Sequence, residues 1–229
     1  MPTLLIALCL SAGMFRAAVA APNPPAAAGR LEVKAVAAEV QKRYDGASDF
    51  RARFSQTLTS AAMGRKTSSS GEVAFKKPGR MRWDYEKPDK STYVTDGGVL
   101  WLYEPDDKQA FKQELKASQL PAALAFLTGK GKLANEFDIV FADKPAYGTA
   151  ADYVLSLSPK VAEPQVKNIL FVVDPKTFDV RESVITDGQG NVNDIVFADI
   201  RVNTKIPESQ FKFTPPAGVR VIDTAKLGK

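Results

Sequence analysis

The sequence predicts a mainly β protein, an antiparallel meander of about ten strands with two short helices. Three observations carry this. From residue 50 onward apolar and polar residues alternate with a period of two. Gly, Pro, Asp and Asn recur at hairpin spacing between the alternating runs. Two windows, 31–44 and 118–129, switch instead to helical spacing.

The chain opens with an apolar run, residues 4–15, LLIALCLSAGMF. It is shorter than the ~20 residues a membrane-spanning helix needs and fits the core of a secretory signal. Ala18-Val19-Ala20 places small residues where the peptidase pocket accepts them, so residues 1–20 are expected to be a signal peptide cut after Ala20. Met1-Pro2-Thr3 carries no Lys or Arg, which leaves the start codon open. Cys9, the single cysteine, lies inside this segment and follows Leu8, not the small residue of a lipidation motif. The mature chain would therefore have no thiol chemistry. Residues 21–30, a Pro/Ala stretch, are expected to be a flexible linker. Residues 31–229 are expected to form a single domain.

Leu31, Val33, Val36, Ala37, Val40 and Tyr44 fall at spacings near three and four, predicting an amphipathic helix that stops at Asp45-Gly46. Phe50, Ala52, Phe54, Gln56 and Leu58 then alternate with Arg51, Arg53, Ser55 and Thr57 as a half-buried strand. Residues 64–71, GRKTSSSG, read as a polar loop. GEVAFKK and RMRWDYE form a hairpin about Pro78-Gly79, and Tyr93-Val94 and VLWLYEP a second about Asp96-Gly97-Gly98. A short strand covers 108–113. In 118–129, Ser118 caps a helix, Pro121 sits in its first turn and Gly129 stops it. Residues 130–135 read as a loop. Strands follow at about 136–143, 151–158, 167–174, 178–187 and 192–202; 203–210 is irregular, and Phe211-Lys212-Phe213 is expected to close the sheet. A meander of this length curls into a barrel or sandwich.

The chain has no His, and its one Cys lies in the presumed signal. That excludes Ser-His and Cys-His nucleophile pairs and the usual zinc sites. Paired carboxylates remain open among 26 Asp and Glu, but no spacing singles out a pair. Asp106-Asp107 and Asp187–Asn191 lack the alternating oxygen ligands of a calcium loop and read as turns. No phosphate-cradling Gly loop, cofactor or metal site is apparent. The net charge of +5 is spread along the chain, so nucleic acid is not an expected partner. The one basic cluster is Lys76-Lys77-Pro78-Gly79-Arg80-Met81-Arg82, which serves equally as a solvated turn or as a docking surface for an acidic partner.

Aromatic residues on strands are the informative feature. Phe54, Phe75, Met81, Trp83 and Tyr85 are expected to line an apolar cavity. So are Trp101, Tyr103, Phe141, Tyr153 and Phe171. Leu31, Val36, Val40, Leu120, Leu124 and Phe126 on the two helices are expected to form its lid.

Phe54-Ser55-Gln56, then 71–83, GEVAFKKPGRMRW, then 95–105, TDGGVLWLYEP, and finally 211–219, FKFTPPAGV, resemble in order the bacterial outer-membrane lipoprotein carrier family, LolA. The resemblance runs from about 31 to 223. It implies an incomplete, half-open antiparallel β-barrel of about 10–11 strands under a helical lid. It implies a periplasmic carrier that takes the acyl chains of lipoproteins from an inner-membrane ABC-type release complex and passes them to an outer-membrane receptor. It implies no enzymatic activity and a monomer. Where the family has an Arg that bonds to the lid, this sequence has Lys77, so Lys77 becomes the candidate lid latch; the family's aromatic four residues later is Met81. Lys76, Arg80 and Arg82 are the candidate partner-docking residues. Other readings stay open: a binding module of the same fold for free lipid or for envelope-stress sensing, and an enzyme of unknown type.

Overall fold

The computed structural model describes residues 30–114, 131–143, 145–163 and 165–226. The expected signal peptide, Cys9, residues 21–29 of the linker and the 118–129 helix with Leu120, Leu124 and Phe126 lie outside them. Within the unit Leu31–Lys229 the described residues form twelve strands in one sheet, ordered β12-β6-β5-β4-β3-β2-β1-β11-β10-β9-β8-β7. Every neighbouring pair is antiparallel except the last strand, β12 (Arg220–Asp223), which lies parallel to β6 (Gln109–Glu114). Among the described residues β7 (Phe137–Phe141) and β12 do not pair, so the sheet is open.

The alternating strand is β1 (Asp49–Thr59), at the middle of the sheet between β2 (Lys66–Lys76) and β11 (Val192–Val202). β2 runs longer than its composition suggested. Residues 66–70 pair with β1 from Thr59↔Lys66 to Ser55↔Ser70, and only Ser60–Arg65 turns. The ladder overrides the weak strand propensity of Ser and Lys, because the backbone is paired while the side chains stay exposed or half-buried. β2 and β3 (Arg80–Lys87) form the first predicted hairpin, β4 (Ser91–Thr95) and β5 (Val99–Glu104) the second. In the second turn Gly97 takes φ +104° and the Asp96 carboxylate accepts from the Gly98 and Val99 N–H groups. β8 (Tyr153–Pro159), β9 (Asn168–Val173) and β10 (Val180–Thr186) complete the meander. The expected loop at 130–135 ends instead in a helical turn, α2 (Leu133–Glu136), because Leu133 is drawn into the core.

α1 (Val33–Asp45) buries Val36, Ala37, Val40 and Tyr44 against the inner face of the sheet. The outer face has its own cover, a segment running from Asn203 to Val219. Ile206 and Phe211 pack with Ala74 in a second small core, and Phe213 meets Trp101 and Tyr103 at 5.5 and 5.3 Å between ring centroids. Phe211-Lys212-Phe213 therefore does not close the sheet. Both rings are spent on the outer face, and the strand that ends the sheet comes after Pro215-Pro216.

Asp49, 3% exposed, fastens the start of that segment. Its carboxylate accepts from Thr204 N–H (2.7 Å), Thr204 Oγ1 (2.9 Å) and Lys205 N–H (3.0 Å). Burial pushes its pKa up, but these bonds outweigh burial and hold it below the usual carboxylate range. A lowered folded pKa adds stability that is full above the unfolded value of ~3.9 and disappears as the pH falls through the folded value. Asp49→Asn is expected to cost about 2 kcal/mol at pH 7. In urea titrations the gap to the parent should narrow as the pH drops below ~4.

Candidate functional site

Residues paired across antiparallel strands share a face, so register sorts the candidates. One inner row runs Phe50, Phe75, Met81, Thr95, Leu100. The next runs Ala52, Val73, Trp83, Tyr93, Leu102. A third sets Phe197, Phe54, Gly71 and Tyr85 side by side. Gly71 is needed there: a Cβ would sit 1.9 Å from the Asp84 carbonyl oxygen, so the bulged backbone closes only without one. The Phe54 and Tyr85 rings meet across it at 5.0 Å, and Phe54 and Trp83 at 4.7 Å. Tyr153 and Phe171 join the same core. Phe141 stacks on Tyr153 at 6.0 Å from the edge strand, 41% exposed.

Thus eight of the ten cavity candidates, from Phe54 to Phe171, stand on or beside one apolar face. Trp101 and Tyr103 do not. Trp101 pairs with Val94, in the row of Arg82, Ala74 and the outer core, while Leu100 and Leu102 take the inner positions of β5. Size suggested the aromatics of VLWLYEP, whereas the strand's period of two assigned the leucines. Phe50 and Phe197 stand on the inner face as well, their rings in edge-on contact at 6.1 Å in its middle.

α1 covers this face and is fastened by polar bonds at several points. The Lys77 ammonium donates to the Tyr44 and Asp45 carbonyl oxygens at 2.6 and 3.1 Å. These belong to the last turn, where carbonyls lack helical partners and a cation suits the helix dipole. Arg43 forks onto the Asp179 carboxylate at 2.7 and 3.2 Å. The Tyr44 hydroxyl accepts from Val180 N–H, and burial pushes its pKa well up, so it stays neutral. Gln41 accepts from Leu133 N–H, and Leu31 N–H donates to the Tyr153 hydroxyl. Of the lid candidates described, Val36 and Val40 are fully buried, whereas Leu31 precedes the helix and is 40% exposed. Its backbone, not its side chain, is what holds there.

The candidate docking residues are all engaged on the outer segment. Lys76 donates to the Ile206 carbonyl, Arg80 pairs with Glu208, and Arg82 bonds the Gln210 carbonyl while forking onto Asp84. Three cations of the basic cluster, Lys76, Arg80 and Arg82, thus clamp the chain's own segment 206–210, which sequence spacing alone could not reveal. Asp187 accepts from Gln189 and Asn191 N–H, the self-contained turn read from the sequence.

Two openings reach the apolar layer. One, about 680 Å³, lies between α1, α2 and β7, with Val33, Ala37, Phe137 and Ile139 in its wall. The other, about 490 Å³, lies at the end of β1, β10 and β11, against Leu58, Val166, Ile185 and Asn193. Both are of a size that takes small ligands. Beside the second stands a polar group that the alternation had placed on the core side, Gln56, 8% exposed. A polar residue at a core position was the available signal.

An open antiparallel sheet with one apolar face under a fastened helix defines the class of half-barrel proteins with a covered hydrophobic layer. The chain belongs to the outer membrane lipoprotein carrier protein LolA family, whose model matches residues 45–214. It is 34% identical over 179 residues to an outer-membrane lipoprotein carrier protein of Pseudomonas entomophila, spanning 75% of this chain and 80% of that one. One from Chromobacterium violaceum is 29% identical over 216 residues, spanning 93% and 95%. A crystal structure of a conserved protein from Thermus thermophilus shares the fold at a TM-score of 0.52 and 12% identity, covering 83% of this chain and 98% of that one.

Lys77→Met removes both bonds to the end of α1. Hydrogen exchange of the Val36–Tyr44 amides should quicken roughly fivefold, the equivalent of one ~1 kcal/mol hydrogen bond. Lys77→Arg should stay near the parent rate.

Proposed function

We propose that this chain is a periplasmic carrier that shields the acyl chains of lipoproteins on the inner face of its sheet, and that it converts no substrate. The observation that carries this reading is the combination of a continuous aromatic face with a cover held at its ends by breakable polar bonds. The names of its relatives supply the cargo class. Release from an inner-membrane ABC-type complex and delivery to an outer-membrane receptor complete the proposed route.

Energetics fit such a role. Burying acyl chain contributes ~0.8 kcal/mol per CH2, so a chain of ~16 carbons offers roughly 12 kcal/mol before costs. Affinity is easily reached and release is the harder task. In this reading α1 competes for the face: Val36, Val40 and Tyr44 occupy it when cargo is absent. Lys77 is the latch that favours the covered state, and Phe54, Phe75, Met81, Trp83, Tyr85, Tyr153, Phe171 and Phe197 contact the chains.

The protein purified from periplasm and analysed by mass spectrometry is expected to carry a triacylated peptide. A free phospholipid or fatty acid as sole cargo would replace this reading with that of a free-lipid module.

A further inference from the structure

Gln56 is a polar side chain, more than nine-tenths buried, on a mainly apolar face. A buried amide is retained only when its hydrogen bonds are met. Its Oε1 accepts two hydroxyls, Ser69 Oγ at 3.1 Å and Tyr85 Oη at 3.0 Å. Burial pushes the Tyr85 hydroxyl up to about 12, so it remains a donor at any physiological pH. With its oxygen taken, Gln56 turns its Nε2 to Asn193 Oδ1 at 2.8 Å. That orders the whole row and fixes the Asn193 amide, oxygen toward Gln56. The Asn193 nitrogen, with two N–H donors, makes no hydrogen bond among the described residues, and Asn193 stands in the wall of the end cavity.

The rest of the wall is mixed: Leu58, Val166, Ile185 and Val192 supply hydrocarbon, and Thr59, Ser60, Gln165, Asp187 and Asn191 supply polar groups. Val166 belongs to the main core. Leu58 is 45% exposed, so apolar wall is open to solvent at this end. Next along β1 comes the polar row at Gln56, and beyond it the Phe54, Trp83 and Tyr85 rings. A ligand seated here meets apolar wall beside an oriented donor, with Gln56 between it and the aromatic layer at Phe54. Plain hydrocarbon has no use for the donor, and a free carboxylate would call for a cation. The complement is a neutral carbonyl attached to a long chain.

We propose that the end cavity is a subsite for the ester carbonyl of a glyceride-type acyl group, with Asn193 Nδ2 as the donor and the Gln56–Ser69–Tyr85 row holding it in place. This rests on the proposed function and deepens it. The aromatic face takes the chains, and the amide row sets how far they enter and favours esterified chains over bare alkyl chains.

The test uses a lipopeptide with two palmitoyl esters on a glyceryl-cysteine and its dihexadecyl ether analogue, titrated by calorimetry into the full chain. The parent is expected to prefer the ester by about fivefold, the worth of one neutral hydrogen bond. In Asn193→Leu the ratio should fall to about one. In Asn193→Asp, which is nearly isosteric and presents only acceptors, it should fall to one or below. Circular dichroism of both variants reports the fold. An equal affinity of the parent for ester and ether overturns the subsite but leaves the acyl carrier standing. So does an ester preference that survives in both variants. Binding of neither lipopeptide would remove the carrier reading and the subsite together.

Discussion

The structure depends on one contact: the burial of Val36, Val40 and Tyr44 of α1 in the inner face of the sheet. A sheet with one aromatic face is not soluble uncovered, because each apolar Å² left in water costs ~25 cal/mol. A single helix of thirteen residues supplies the described part of that cover. Its fastenings reach β8, the β9–β10 turn and the β2–β3 turn, so the sheet must curl around it. Curvature, openness and the site are thus consequences of the same contact.

The two faces are held differently, and the difference suits their roles. On the outer face Asp49, Lys76, Arg80 and Arg82 tie down Asn203–Gln210 through charge-assisted bonds to backbone and carboxylate. Such bonds are strong and set geometry closely. On the inner face the cover is one element, and its apolar residues are of the same chemistry as a lipid chain. In the proposed reading hydrocarbon replaces the side chains of Val36 and Val40, while displacing α1 also requires Lys77, Asp179 and the Val180 and Leu133 N–H groups to find new partners. In that reading such a cover competes with cargo for the face, and that moderates affinity for a ligand whose gross burial energy is large.

Much of this was legible in the sequence. Period-two alternation located β1, and Asp96-Gly97 located a hairpin, because both signals reflect local geometry. Helical spacing gave α1 to within two residues. What stayed hidden depended on pairing at a distance. The serines of β2 became strand only because β1 offered them a ladder. Trp101 and Tyr103 could be assigned to a face only through their partners on β4. The intramolecular acceptors of Lys76 and Arg82 lie some 130 positions away, beyond the reach of sequence spacing. Gln56 stood in plain view as a polar residue in an apolar alternation, but its meaning required Ser69, Tyr85 and Asn193.

The two tryptophans stand on opposite faces, Trp83 in the inner core and Trp101 against Phe213. They allow the central claim, that acyl chains lie on the inner face beneath α1, to be measured directly. In Trp101→Phe, which keeps Trp83, a lipopeptide with brominated acyl chains should quench the fluorescence on binding. In Trp83→Phe, which keeps Trp101, the same lipopeptide should bind with little quenching. Quenching of Trp101, or binding that leaves Trp83 unquenched, would contradict the claim.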